Sequence, residues 1–420
     1  MKQNTTYKQT ELGLIPEDWE VKKLGELGFF FKGKGVPKTS IETEGKYKCL
    51  TYGDLYTKYD YVIKNVKSFI NDASDSQEIN FGDICIAGSG ETIEDIGKCA
   101  VFIDDKTGYA GGDIIIFRSD ENPLTLSYIL NSDLCKRQKY RLGQGHSVVH
   151  IYSSQLQNLK IPLPPLPEQK KIADCLSTWD SAIEKQSALI NALTQRKKAL
   201  MQQLLTGKKR LPGFSGEWKE VKLGSICENF QNGNAFSAKD YKKTGIPIVT
   251  MGNINLGGYF YFSESKSNFW IEDKSLERYE IKKGDLIIAM TDVTPEKNLI
   301  GLTSIIDIDR IFYLNQRVGH IILKPKLADT DFIFYLSQNS YWRNQCKAFA
   351  TLGVQANLGT NDIKNINIKL PPIEEQTAIA EILATADREL QLQKEKLAQL
   401  QTQKKGLMQV LLTGKKRLMN

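Results

Sequence analysis

At 420 residues, 41% of them apolar and 25% charged, the chain has room for two or more hydrophobic cores, and its net charge of +7 is compatible with a nucleic-acid partner without requiring one. No apolar run is long enough for a membrane span and the first residues, MKQNTTYKQTELG, are unlike a secretory leader, so a cytoplasmic protein is expected. Three histidines and seven scattered cysteines without a CxxC pair exclude a zinc site and a disulfide framework, and the cysteines read as small buried apolar residues.

In chain order, residues 1 to 13 are polar and expected loose or tucked against the first domain. From 19 to about 161, short β-rich runs (Val62-Ile63, 84 to 87, 100 to 103, 114 to 117) alternate with glycine, asparagine and aspartate, followed by one helical stretch from 124 to about 142 and the loop GQGHSVVH at 143 to 150. This predicts an α/β domain. Within it, FKGKGVPK at 31 to 38 sets Lys32, Lys34 and Lys38 among glycines that let a backbone approach a phosphate. The later loop adds Gln144, His146 and His150.

Next comes a strict four-three alternation: Ile172, Leu176, Trp179, Ile183, Gln186, Ile190, Leu193, Lys197, Leu200, Leu204. This is a coiled-coil seam, and a helix of about 39 residues is roughly 58 Å long at about 1.5 Å per residue. A Pro-Pro pair precedes it, Glu168 lies where a carboxylate favours the helix dipole, and Gly207 followed by Lys208-Lys209-Arg210 reads as a left-handed cap with cations at the negative end.

The chain then repeats itself. Residues 208 to about 368 echo the first domain: Trp218 to Gly224 answers Trp19 to Gly25, and 284 to 289 answers 82 to 87, although loop lengths differ. At the position of the lysine loop stands FQNGNAFSAK, with Gln231, Asn232, Asn234 and Ser237, whose amides and hydroxyl suit base edges. Before the second helix lie Gln355 and Asn357. That helix carries Ile379, Leu383, Ala386, Leu390, Gln393, Leu397, Leu400, Lys404, Leu407 and Leu411 in the register of the first. Residues 403–418 differ from 196–211 only at Gln403, Gly406 and Val410. Antiparallel pairing about a two-fold near residue 188 predicts Lys404 against Trp179 and Lys197 against Ala386, unless both lysines reach for solvent.

The division is thus 1–160, 161–207, 208–368 and 369–420: two α/β (α+β) domains separated by two long helices in an internal pseudo-two-fold repeat. Matching helices with dissimilar loops point to two heads that read different things. Catalytic equipment is missing from the pattern. LTGKKR lacks the upstream glycine and the Ser/Thr of a phosphate loop, no Asn-Pro-Pro-aromatic run provides an amino-methyltransferase pocket, and GSGET at 88 to 92 is not a nucleophile elbow.

The order of variable domain, LPPLPEQ, seam, LLTGKKRL, second variable domain and second matching helix resembles the specificity subunit of type I restriction-modification systems, over essentially the whole chain. The resemblance implies two target recognition domains that each read half of a bipartite DNA site, and two helices forming an antiparallel coiled coil that sets the gap, on the scale of one DNA turn of roughly 34 Å. It implies a non-catalytic subunit that docks two modification subunits, which methylate adenine with S-adenosylmethionine, and restriction subunits that use ATP and magnesium; no cofactor or metal is expected on this chain. The alternative is a coiled-coil scaffold with protein- or carbohydrate-binding heads.

Overall fold

A computed structural model describes residues 6–145, 148–294, 296–350 and 356–418. The chain forms two compact units, Met1–Ser187 with Glu395–Asn420 and Ala188–Lys394. The division cuts both long helices near their middles, so each unit contains one globular domain, the near half of its own helix and the far half of the other.

In the first unit a five-stranded sheet runs, in spatial order, Gly28–Lys32, Ile114–Ser119, Ile84–Ala87, Cys99–Phe102 and Val62–Ile63. Neighbours are antiparallel except the last pair. Side chains of successive strand residues point to opposite faces. Ile84, Ile86, Val101, Ile115 and Phe117 therefore pack on one side with Trp19, Ile172, Leu176 and Leu411. Cys85, Ala87, Ala100, Phe102, Ile114 and Ile116 face a second core on the other. Burial on both faces explains why these strands read as unbroken apolar runs rather than alternating ones. A smaller sheet follows the order Phe69–Ile70, Tyr47–Leu50, Gly108–Ala110, Gln77–Ile79.

The stretch predicted as one helix from 124 to 142 is two, Pro123–Leu130 and Asp133–Leu142. The break has a local cause. Asn131 turns its amide onto strand Cys99–Phe102, accepting from Cys99 N (3.2 Å) and donating to Cys99 O (2.7 Å), and Ser132 starts the next helix by accepting from Cys135 N. Of the two expectations for the N-terminal segment, its described part is tucked in: Tyr7–Thr10 pairs with Gly13–Pro16 as a hairpin, and the Tyr7 hydroxyl donates to Gly414 O (3.1 Å).

The second unit repeats this plan on its own residues. Its larger sheet runs Cys227–Asn232, Val318–Leu323, Leu286–Ala289, Thr303–Ile305, and its smaller one Phe269–Trp270, Ile246–Val249, Phe312–Leu314, Glu280–Ile281. Leu204, Ile379 and Leu383 enter its core, with Leu200 packed against it.

The long helices are Leu166–Leu204 and Ile373–Leu411, 39 residues each. They run antiparallel within each unit. In the first, Lys404 forms an ion pair with Asp180; in the second, Lys197 pairs with Asp387 and Arg196 with Glu389 (2.6 Å). The seam is only partly a helix-to-helix contact. Its outer members Ile172, Leu176, Ile379, Leu383, Leu204 and Leu411 roof the domain cores, Leu193 and Leu390 are buried nearer the middle, and Trp179, Ile183, Ile190, Leu397, Leu400 and Leu407 are half-buried.

The two seam lysines correct the simple pairing. Each ammonium is drawn not to solvent but to the aspartate that directly follows the predicted position, Asp180 after Trp179 and Asp387 after Ala386. Lys404 is 4% exposed; its ammonium bonds the next residue round the helix, Asp180, and lies 3.7 Å from the Tyr61 ring centroid and 5.1 Å from that of Tyr128. Tyr128 donates to the same carboxylate. Lys197 makes the matching contacts with Asp387, Tyr259 and Tyr335, and Tyr335 donates to Asp387 (2.7 Å). In each unit, then, a lysine on one helix clamps an aspartate on the other to two tyrosines of the globular domain.

The helix starts are fastened with equal symmetry. Glu168 is buried and does more than favour a dipole: it accepts from Trp19 Nε1 (2.9 Å) and from Arg417 Nε and Nη2 (both 2.7 Å). In the second unit Glu375 accepts from Trp218 Nε1 (3.1 Å) and from Arg210 Nε and Nη2 (both 2.7 Å). The basic residues after each helix therefore include one buried ion-pair partner. Gly207 and Gly414, both at φ 69°, hold the left-handed conformation that turns each arginine back, with Lys209 N donating to Gln203 O and Lys416 N to Val410 O.

Candidate nucleic-acid interface

In each unit the two candidate loops arrive at the same end of the larger sheet. In the first, Lys32 closes its strand opposite Ile115, and Ile115 is opposite Ile86, so Lys32 and Ile86 are separated by two strand spacings, roughly 10 Å. The chain leaves Ile84–Ala87 at that end into Ser89–Gly90, which pairs with Val149–His150. Gln144 and His150 are tied by both backbone hydrogen bonds (3.0 and 2.8 Å). His150 Nδ1 lies 2.9 Å from Ser89 Oγ, and its ring stacks toward Tyr152, which is exposed.

Lys34 and Lys38 are exposed, but the glycines around them serve the fold. A Cβ on Gly33 would lie 2.0 Å from Gly111 O, so this glycine permits a close approach within the domain rather than to a phosphate. Val36 then anchors the loop in the small sheet, carrying Lys38 away onto the turn Lys38–Ser40. His146 lies outside the described residues.

In the second unit Asn232 ends its strand opposite Gly319, which is opposite Ile288. Thr291–Asp292 continues from that strand and pairs with Ala356–Asn357. Asn232 is exposed, and its Oδ1 accepts from Thr360 Oγ1 (3.0 Å), joining the two loops directly. Gln231 and Asn234 are half-buried, and Asn234 bridges to Asn315. Phe236, packed with Ile248 and Tyr313, draws Ser237 off to the small sheet as Val36 draws Lys38. Asn357 is exposed on its short strand, and Gln355 lies outside the described residues. Beneath the site, burial works against the charge on Asp292, yet the backbone N–H groups of Thr294 and Leu299 hold its carboxyl below the ordinary range.

Sequence reasoning missed Ser89 and Thr360. Both carried a faint signal: Ser89-Gly90 and Thr291-Asp292 follow matching strands after the same short interval, and Thr360 stands at the position of Ser153 in the duplicated chain, at the offset that relates the two long helices.

The description "Type I restriction modification DNA specificity domain" matches residues 16–195 and again 215–402. The chain belongs to this family. Similar curated proteins of the family come from Methanocaldococcus jannaschii: the type I restriction enzyme MjaVIII specificity subunit, 29% identical over 97% of this chain and 95% of its own length, and the putative type I restriction enzyme MjaX specificity subunit, 29% identical over 98% and 97%. Among solved structures, the S subunit of a type I restriction-modification system from M. genitalium has the same fold, with a TM-score of 0.60 at 17% identity, covering 98% of this chain and 97% of that one. The family's two-copy arrangement falls on the two structural units: each matched segment contains one globular domain and most of the helix that follows it. Among the described residues no helix is long and apolar enough to cross a membrane.

Proposed function

We propose that this chain is the DNA-reading subunit of a type I restriction-modification assembly and performs no catalysis itself. The observation that carries the reading is a contrast between the two units. Their lysine clamps and Trp-Glu-Arg fastenings match residue for residue, whereas their sheet ends present lysine and an imidazole held by the buried Ser89 in one and two amides and threonine in the other. Matching frames with unlike polar tips suit two readers of two different half-sites on double-stranded DNA.

The exposed outer faces of the long helices offer two equivalent surfaces for two methyltransferase subunits, to which restriction subunits are added in the cytoplasm. S-adenosylmethionine, ATP and magnesium belong to those partners. Methylating adenine requires flipping the base out of the stack into a fitted pocket, a task for the modification subunit. Exchanging residues 14–160 for the first domain of another family member should change one half of the methylated motif and leave the other intact, as read by long-read sequencing of DNA modified by the reconstituted complex. A change in both halves would count against the modular reading.

A further inference from the structure

The second domain carries one side chain at its sheet end whose polarity is already set by the fold. Asn232 is exposed, yet its backbone is held on both sides: it pairs with Gly319, and the next residue, Gly233, passes so close to Asn315 that a Cβ there would lie 2.1 Å from the Asn315 oxygen. A side chain on this backbone has little freedom to shift with the loop. Its amide is fixed as well. Thr360 Oγ1, on the first residue of the helix Thr360–Lys364, donates to Asn232 Oδ1. That helix start is itself tied, with Gly359 N donating to Asp362 Oδ2 (2.9 Å). The bond spans the two loops that the sheet brings together, and it engages the amide oxygen while, among the described residues, no hydrogen bond takes the Nδ2 protons.

We infer that Asn232 is a specificity-determining residue of the second domain, that Thr360 is its positioning residue, and that the pair presents hydrogen-bond donors to an acceptor edge of one base pair in the second half-site. The inference rests on the DNA-reading function proposed above. Guanine N7 and O6 and thymine O4 are acceptors in the major groove, so the amide protons match guanine or thymine there. The two-point contact of asparagine with adenine requires the amide oxygen as well, and Thr360 competes for it. The first domain has Lys32 at the corresponding strand end, so the same place in its fold carries a cation in place of an oriented amide.

The test uses the full chain assembled with its modification subunit and a pool of duplexes randomised over the second half of the wild-type motif. All duplexes compete in one tube, so the preference ratio does not depend on how much of a variant is active. Asn232→Asp keeps the shape and removes the donors; it should lower the preference for the native base at one position about 5- to 150-fold, the range set by one good base contact. Thr360→Val should loosen the preference at the same position, and Thr360→Ser should restore it. Preferences at all other positions, including the first half, should be unchanged. Unaltered preference in both Asn232→Asp and Asn232→Ala overturns the inference, as does an effect of Thr360→Val that serine fails to rescue. If the wild-type complex selects no two-part motif at all, the functional reading fails first.

Discussion

Replacing Asp180 with alanine should destabilise the first unit by about 3–5 kcal/mol, the range seen when one partner of a buried ion pair is removed. The reason is Lys404. Its ammonium is enclosed by Tyr61 and Tyr128, and without Asp180 it is left as an uncompensated buried charge, while the Tyr128 hydroxyl loses its acceptor too. The reverse deletion should be far milder. Lys404→Met keeps the apolar stem between the rings, and the Asp180 side chain, 29% exposed, regains water, so a loss below about 1.5 kcal/mol is expected for a volume-conserving change of this kind. Denaturant unfolding of the two variants checks the order, and equal losses would refute the clamp. The pH dependence has a definite sign. Burial holds the Lys404 pKa below its ordinary value against the pull of Asp180. Removing Asp180 depresses it further, so between the folded value and the unfolded value of about 10.4 the unfolded chain binds more protons. The stability of Asp180→Ala should therefore rise with pH across that window, more steeply than that of the native protein.

Arg417→Met should cost a similar amount, about 3–5 kcal/mol, and its counterpart Arg210→Met clearly less. Arg417 is 9% exposed in its side chain and holds Glu168, 5% exposed, through two hydrogen bonds; it also makes two 2.8 Å bonds to Asp18. Its removal leaves Glu168, among the described residues, with Trp19 Nε1 (2.9 Å) and the longer bond from Leu418 N (3.4 Å). Arg210 is 30% exposed, so water reaches Glu375 more readily once the guanidinium is gone. Hydrogen exchange read by peptide should show faster opening over residues 166–187 in Arg417→Met and over 373–394 in Arg210→Met. Protection unchanged over 166–187 would mean that the fastening does not secure the helix start.

The frame was legible because duplication displays itself. Two copies of a seam at one offset fix the helix lengths, and Gly207 and Gly414 mark their ends through a conformation that glycine adopts without strain. The strand at 84–87 and the 114–117 part of Ile114–Ser119 were legible as apolar runs because both of their faces are buried. The break at Asn131 was not, since its cause is a hydrogen bond to a strand more than thirty residues earlier. The seam lysines looked like interruptions for the same reason: the aspartate beside the seam and the tyrosines beneath it come together only through packing. At the sheet ends, exposed lysines and amides marked the loops in sequence, but which residues meet there depended on pairings such as Ser89 with His150 and Asn232 with Thr360. Lys38 and Ser237 were carried elsewhere because the apolar neighbours Val36 and Phe236 are anchored in the smaller sheets.

The central claim, two unlike readers on matching frames, is tested most directly by a long-read map of N6-methyladenine in the host genome with and without this gene. Loss of methylation from a single gapped, two-part motif is the predicted result and would supply the target as well. A map that is the same with and without the gene, in a host whose modification subunit is expressed, would contradict it.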